Sequence, residues 1–397
     1  MKTPIYLDYA ATTPVLPEVL EEMLPFFSDR FANASSSVHR PGREAAKAVA
    51  IAADQLADLL NVDPTEITFT SGSTEALNLA IQGVAHRYQR YRNRIVTCQT
   101  EHKAVLDTCE AMRRSGFDVE LLPVDQHGRL SVDKLTKTLS GDVALCAVML
   151  GNNETGVLHD LPRIGEVCRQ AGVLLLVDAT QAVGKMDCHP ATLKADFLAC
   201  SAHKFGGPKG IGALWINSAN PAAQLSPLLH GGGHQGGVRP GTLNVPAIVG
   251  MGKAAAIAQE RLRQAAISEQ TSAWTSARLR DDFESKLHRC CVDVHINGGV
   301  ASRLPHISSV RVTGIRSTAL LARLQDRLAL STGSACSTDA PEPSHVLTAM
   351  SLTAEEVAAS FRVSLGLETS AADLDQAVAW ISSEVEMLRA ESPMWQL

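Results

Sequence analysis

Val173-Leu174-Leu175-Leu176-Val177-Asp178-Ala179-Thr180-Gln181 is the stretch on which the fold turns. Its unbroken aliphatic run is far too short to span a bilayer and does not alternate with polar residues, so it reads as a strand buried on both faces. Such strands belong to parallel sheets covered by helices on either side. Asp178 then falls at the carboxyl end of the strand, where open α/β sheets hold their ligands. Working outward, similar short runs recur at Glu66 to Thr70, Arg94 to Cys98, Asp118 to Leu122, Asp142 to Val148 and Asp196 to Cys200. Between them lie helix-patterned segments from Arg43 to Leu60, Thr74 to Tyr91, Val105 to Arg114 and Leu161 to Ala171. This alternation predicts an α/β fold with a mostly parallel sheet. From Val245 an Ala-rich, charge-studded helix is expected to run toward Leu287, with strands at Val292 to Ile296 and Ile307 to Val312 opening a second α+β block. The domain boundary is expected inside or just after that helix.

The chain has 397 residues, 45% hydrophobic and 20% charged, which is the composition of a packed globule large enough for two domains. Lys and Arg number 36 against 42 Asp and Glu, a formal net charge of −6, so no global positive field draws the chain to nucleic acid or anionic lipid. No stretch has the length of a signal peptide core or a membrane span, so the expectation is a soluble, cytoplasmic protein. Nine cysteines, at 98, 109, 146, 168, 188, 200, 290, 291 and 336, contain no C-x-x-C pair. That spacing argues against a disulfide framework or a zinc knuckle, and no metal is expected. Buried, reduced thiols are the expectation for all but Cys336, with adjacent Cys290 and Cys291 structural or incidental.

The chemistry concentrates after the strands. Ser201-Ala202-His203-Lys204-Phe205-Gly206-Gly207 follows a strand, and its glycines permit close approach of backbone to a ligand. A lone lysine is ordinarily solvated surface. A lysine that forms a Schiff base with pyridoxal 5′-phosphate, however, needs an acidic partner for the pyridinium nitrogen, donors for the phosphate and a flat group against the ring. Asp178 offers the acid, although an Asp at a strand end is commonly a helix cap. Ser71-Gly72-Ser73-Thr74-Glu75 lies between strand and helix and forms an anion site from hydroxyls and free N–H groups. His102, in Thr100-Glu101-His102-Lys103, offers the flat group, against the alternative of a satisfied structural histidine.

In this order the segments resemble the cysteine desulfurases of the IscS and NifS family, pyridoxal-phosphate enzymes of the aspartate-aminotransferase fold. The resemblance runs from Tyr6-Leu7-Asp8-Tyr9-Ala10-Ala11-Thr12-Thr13-Pro14 through Asn152-Asn153-Glu154-Thr155-Gly156 to Ser392-Pro393-Met394-Trp395. It implies a large cofactor domain over 16–262 with a mostly parallel seven-stranded sheet, and a smaller α+β domain made of 1–15 and 263–397. It further implies that Lys204 holds the cofactor, Asp178 pairs its ring nitrogen, Gln181 touches its phenolic oxygen and His102 stacks on it. Ser73, Thr74, Ser201 and His203 would take the phosphate, with Thr242 reaching it from the second subunit of a homodimer. Asn33, Asn153 and Arg362 would bind the substrate L-cysteine, Arg362 by a bidentate grip on the carboxylate, against the alternative of a surface salt bridge.

Ser331-Thr332-Gly333-Ser334-Ala335-Cys336-Ser337-Thr338-Asp339 sets one cysteine among small and polar residues. A thiol with little apolar cover suits a nucleophile, since only the thiolate attacks. The motif resembles desulfurases in which Cys336 would receive sulfur as a persulfide and carry it to an acceptor protein. Departures concern partners: in Gly233-His234-Gln235-Gly236-Gly237-Val238-Arg239-Pro240-Gly241-Thr242 the usual Glu-Arg pair is Gln235-Gly236, and Pro240 replaces a Ser. The chain also stops at Leu397, where the resembled housekeeping enzyme continues into a scaffold-docking tail. Iron–sulfur assembly, tRNA thiolation and sulfur supply for DNA phosphorothioate modification are the destinies the resemblance implies, each through a protein acceptor without contact to nucleic acid. An aminotransferase or lyase of the same fold is the alternative that would not need Cys336.

Overall fold

A computed structural model describes residues 4–267, 272–332 and 343–391. Its strands are β1 (Ile5–Tyr6), β2 (Ile67–Thr70), β3 (Arg94–Cys98), β4 (Asp118–Leu122), β5 (Val143–Met149), β6 (Leu174–Asp178), β7 (Phe197–Ser201), β8 (Gly212–Ile216), β9 (Val294–Ile296), β10 (Ile307–Val312), β11 (Leu328–Ala329) and β12 (Ser360–Ser364). Seven of them form the central sheet in the order β2-β8-β7-β6-β5-β3-β4. All neighbours are parallel except β8, which runs antiparallel to both β2 and β7. The sheet is therefore mostly parallel, as the aliphatic runs predict. The antiparallel β8 was not foreseen, because Gly206 to Gly212 reads as loop and hides the short strand behind it.

Period-two side-chain alternation divides the sheet's residues between two cores. Cys146, Val148, Leu175, Val177, Leu198 and Cys200 pack on one face with Leu56, Ile248 and Met251 of helices Arg40–Leu60 and Val245–Ile267. Leu145, Ala147, Leu174, Leu176, Phe197 and Ala199 pack on the other with helices Ser73–Tyr88 and Lys103–Arg114. Both faces being covered explains why the strands are apolar without alternation. Truncating a fully buried residue such as Leu176 to Ala would cost roughly 2–5 kcal/mol.

A smaller block pairs β10 antiparallel with β9 and β12. Its core joins Phe283 and Leu287 of helix Ser272–Cys290 to Phe361, Val363 and Ile381, and it includes Leu7 from the start of the chain. The expected helix from Val245 toward Leu287 corresponds to two described helices, Val245–Ile267 and Ser272–Cys290, with 268–271 outside the described residues. The strand expected from Val292 begins at Val294. Strand β12 was missed because Ser360, Arg362 and Ser364 break any apolar signature, although every residue in it is buried.

Strand β2 lies at the edge of the sheet, yet its outer side is not open. Gln235 Oε1 accepts from Phe69 N at 2.7 Å, and Gln235 Nε2 donates to Phe69 O at 3.0 Å and to Arg239 O at 3.1 Å.

Candidate active site

The chain order reverses between β3 and β5: β4 continues outward from β3, whereas β5, β6 and β7 build in the other direction. At such a switch point the loops after neighbouring strands part and leave a crevice at the carboxyl ends. Strand β6 ends on Asp178, and the segments after β3, β5 and β7 carry His102, Asn153 and Lys204.

Asp178 ends β6, buried, and its Oδ1 accepts from Thr180 N at 2.9 Å and from Thr180 Oγ1. These bonds fix the carboxylate plane, and its remaining lone pairs can serve an acidic N–H. One turn on, Gln181 Nε2 donates to Ala10 O at 2.9 Å. Lys204 Nζ donates to the same Ala10 O at 2.7 Å and to Ala11 O at 2.8 Å. The lysine and glutamine thus converge on one carbonyl of the N-terminal arm. The arm is bound on every side: Thr13 N donates to His203 O at 2.8 Å, His203 Nδ1 meets Thr12 Oγ1 at 3.1 Å, and Ala10 N donates to Ser364 Oγ at 2.8 Å. Backbone carbonyls leave no side-chain signature, so sequence reading missed this role of Ala10 and Ala11.

His102 caps helix Lys103–Arg114, its Nδ1 accepting from Ala104 N at 3.1 Å. That bond sets the ring and places the neutral form's hydrogen on Nε2. Burial holds His102 below the usual imidazole range, opposed by the nearby Asp178 charge and reinforced by Lys204. Burial, with Lys204 nearby, lowers His203 to about 4. Both rings are therefore neutral near physiological pH.

Ser73 and Thr74 open helix Ser73–Tyr88, whose first N–H groups lack intrahelical acceptors and whose cap Gly72 supplies no side-chain bond. Ser201 closes β7, and its hydroxyl would lie 3.8 Å from a Cβ placed on Gly72. Gly212 makes this approach possible. It pairs with both Thr70 and Ser201, and a Cβ there would stand 2.6 Å from Gly72 backbone. The helix N-terminus and Ser201 are brought together on this one small residue.

Arg362 lies centrally in β12, 4% exposed. Its Nη1 donates to Asn153 O at 2.8 Å and its Nη2 to Asp8 Oδ1 at 2.6 Å, while Nε is buried without a partner among the described residues. It is not a surface salt bridge. Asn153 joins the site through its carbonyl. Asn33 and Thr242 do not join this cluster: both are exposed, and Asn33 Oδ1 accepts from Ser35 N at 2.9 Å.

Cys336 lies outside the described residues. The described residues flanking it are tied to the site. Arg362 N donates to Ser331 O at 2.7 Å, Ser344 Oγ donates to Glu154 Oε2 at 2.5 Å, and His345 Nε2 meets Glu101 O at 2.9 Å. Of the other cysteines, seven are buried as expected. Cys290 is not: it is exposed at the last residue of its helix, while the adjacent Cys291 packs into the core. Among the described residues no helix is long and apolar enough to cross a membrane.

Comparison with known proteins accords with this arrangement. The class-V aminotransferase family matches residues 5–377. The cysteine desulfurase IscS of Proteus mirabilis is 43% identical over an alignment covering all of this chain and 96% of that protein, and the IscS of Shewanella woodyi is 44% identical with the same coverage. Among solved structures, a NifS-like protein superposes with a TM-score of 0.88 at 32% identity, covering 97% of this chain and all of the other. SspA in complex with cysteine gives 0.79 at 34% identity, over 91% of this chain and 98% of that one. DndA from Streptomyces lividans gives 0.74 at 34%, over 91% and 99%. The chain belongs to the class-V aminotransferase family, within its IscS and NifS cysteine desulfurases.

Proposed function

We propose that the protein is a homodimeric, pyridoxal-phosphate-dependent cysteine desulfurase that converts L-cysteine to L-alanine and holds the sulfur as a persulfide on Cys336. The observation carrying this reading is the convergence of Lys204 and Gln181 on Ala10 O beside the end of β6, with Asp178 in that strand end. The residues fit the cofactor: a buried Gln181 Oε1 has no partner among the described residues, and the helix N-terminus beside Ser201 would serve as a phosphate cradle around Gly72. Lys204 would hold the aldehyde carbon, Asp178 the ring nitrogen, and Ser73, Thr74, Ser201 and His203 the phosphate. When bound, the cofactor supplies an electron sink for the substrate Cα.

This chain's own residues supply the rest. Arg362 offers its Nε edge to the substrate carboxylate, with Asn153 beside it, which fixes the orientation of Cα. Lys204, held by the carbonyls of Ala10 and Ala11, would be the base that takes the Cα proton. Asp178, fixed at the end of β6, would accept the hydrogen of the ring nitrogen. Cys336 thiolate attacks the substrate sulfur; the C–S bond breaks, an S–S bond forms, and the carbon chain takes a proton to become alanine. Cysteine and thiol in, alanine and persulfide out, the step balances without an external oxidant.

A dimer is supported by an apolar surface on the first helices and the loop after them, where Leu24, Phe27, Phe31 and Val38 are 54%, 61%, 76% and 89% exposed. Burying such side chains is worth roughly 1.5–3 kcal/mol each. Asn33 lies in that same stretch, and both it and Thr242 are exposed, which fits residues that complete the partner's site. The sulfur acceptor is a second protein.

The test is mass spectrometry after a single turnover. Sulfur on Cys336 is expected, and Cys336→Ser should keep the cofactor and its spectral response to cysteine yet release little alanine. Persulfide on Cys290 with Cys336 unmodified would refute the assignment, and undiminished alanine release by Cys336→Ser would favour a lyase.

A further inference from the structure

Glu101 lies directly before His102 and is 1% exposed. Its Oε1 accepts from Met149 N at 2.9 Å, Met149 pairs in register with Asp178, and Leu150 N donates to Asp178 O at 2.9 Å. Its main-chain oxygen receives His345 Nε2. One residue therefore ties together the end of β5, the Asp178 strand, the histidine cap and the segment after 342. Its second oxygen, Oε2, is buried with no partner among the described residues.

Facing it are Cys98 and His159, whose Sγ and ring nitrogen lie within 4.8 Å of a Glu101 oxygen and of each other, all three residues buried. These donor types suit zinc. The hydrogen bonding does not. His159 Nδ1 accepts from Leu130 N at 3.3 Å, so the neutral ring carries its hydrogen on Nε2 and has no lone pair to give there. What remains is a His159 Nε2–H and a Glu101 Oε2 that are both buried without a partner among the described residues, in two side chains whose polar atoms approach within 4.8 Å.

A carboxyl without a cationic partner in an apolar interior is held toward its neutral form. Glu101 has the deeper burial, and desolvation together with Asp178 holds its carboxyl well above the ordinary range. We propose that Glu101 is a positioning residue that works as a neutral acid: with His159 it forms a buried acid–imidazole brace that holds His102 and the Asp178 strand end in register. The brace rests on the reading of Asp178 and His102 as cofactor residues; Glu101's protonation does not.

Difference infrared spectroscopy of the folded protein against Glu101→Gln at neutral pH tests protonation without reference to activity. Loss of a protonated carboxyl band is expected, and its absence overturns the proposal even where the desulfurase reading stands. The brace is tested by kinetics. Glu101→Gln, an isostere of the acid, should stay within about threefold of the parent kcat, whereas Glu101→Ala and His159→Leu should lose roughly 10- to 100-fold in kcat, shift the cofactor absorption band and leave KM for L-cysteine nearly unchanged. Should Glu101→Ala fail to fold, folded His159→Leu carries the test. A Gln variant as impaired as the Ala variant, or full activity and an unshifted band in either truncation, overturns the proposal.

Discussion

Replacing Arg362 by lysine keeps a cation in the middle of β12 and removes the planar fork. In the parent, two of the guanidinium's nitrogens are committed, Nη1 to Asn153 O and Nη2 to Asp8, and Nε is the edge left for an incoming carboxylate. A lysine ammonium reaches Asp8 or the substrate as a point charge and cannot grip two oxygens in plane. One hydrogen bond to a charged group is worth about 1.5–3 kcal/mol, and at about 1.4 kcal/mol per decade its loss weakens carboxylate binding by roughly 10- to 150-fold. Breaking the Asp8 pair entirely, as in Arg362→Met, carries a further cost in stability. A fully buried pair loses about 3–5 kcal/mol when one partner is removed, and with the Asp8 side chain 18% exposed about 2–3 kcal/mol is the expectation. The assay compares L-cysteine with cysteamine, which lacks the carboxylate, by the change in cofactor absorbance on amine binding. Arg362→Lys should lose affinity for L-cysteine and leave cysteamine within about threefold. Equal losses for both amines would show that Arg362 only braces the N-terminal arm, and the substrate assignment would fall.

Three further outcomes are expected. Gly212→Ala drives a methyl group to 2.6 Å from Gly72 backbone, so it should cost about 1–3 kcal/mol and release cofactor on dialysis; a variant that retains it as the parent does would contradict the cradle. Lys185, whose Nζ meets His306 Nε2 at 2.9 Å, is pushed down to about 7 by burial, with Lys204 nearby adding to the effect. Between that value and the ordinary 10.5 the unfolded chain binds the extra proton, so stability rises with pH by at most about 1.4 kcal/mol per unit, and denaturant titrations of Lys185→Met should lack that rise. Lys204→Ala and Thr242→Ala subunits, each inactive alone, should regain activity on mixing, because one site of the heterodimer recovers both groups; verified heterodimers without activity would keep Thr242 out of its partner's site.

The sheet and half of the site were legible for one reason: strands buried on both faces have no freedom to be polar, and a charged residue at such a strand's end has few reasons to be there. Arg94 to Cys98, Asp118 to Leu122 and Ile307 to Val312 fall where the apolar runs place them, and Asp178 with them. Strand β12 was illegible because its pairing with β10 and the Arg362 ion pair satisfy polar residues that would otherwise mark a loop. The carbonyls of Ala10 and Ala11 were invisible because a backbone acceptor looks alike at every residue. Glu101 passed unnoticed beside His102, since only the fold brings His159 opposite it.

Gln235, where relatives of this kind were expected to have Glu, has a consequence away from the chemistry. Its amide presents one acceptor and one donor to Phe69, as the peptide group of a neighbouring strand would. A carboxylate could take the Phe69 N–H but would repel the Phe69 carbonyl. The amide thus acts as a single-residue imitation of an eighth strand, capping the sheet where another chain would otherwise add itself. Gln235→Glu should be felt in the test tube as self-association of the folded protein while the catalytic groups stay in place.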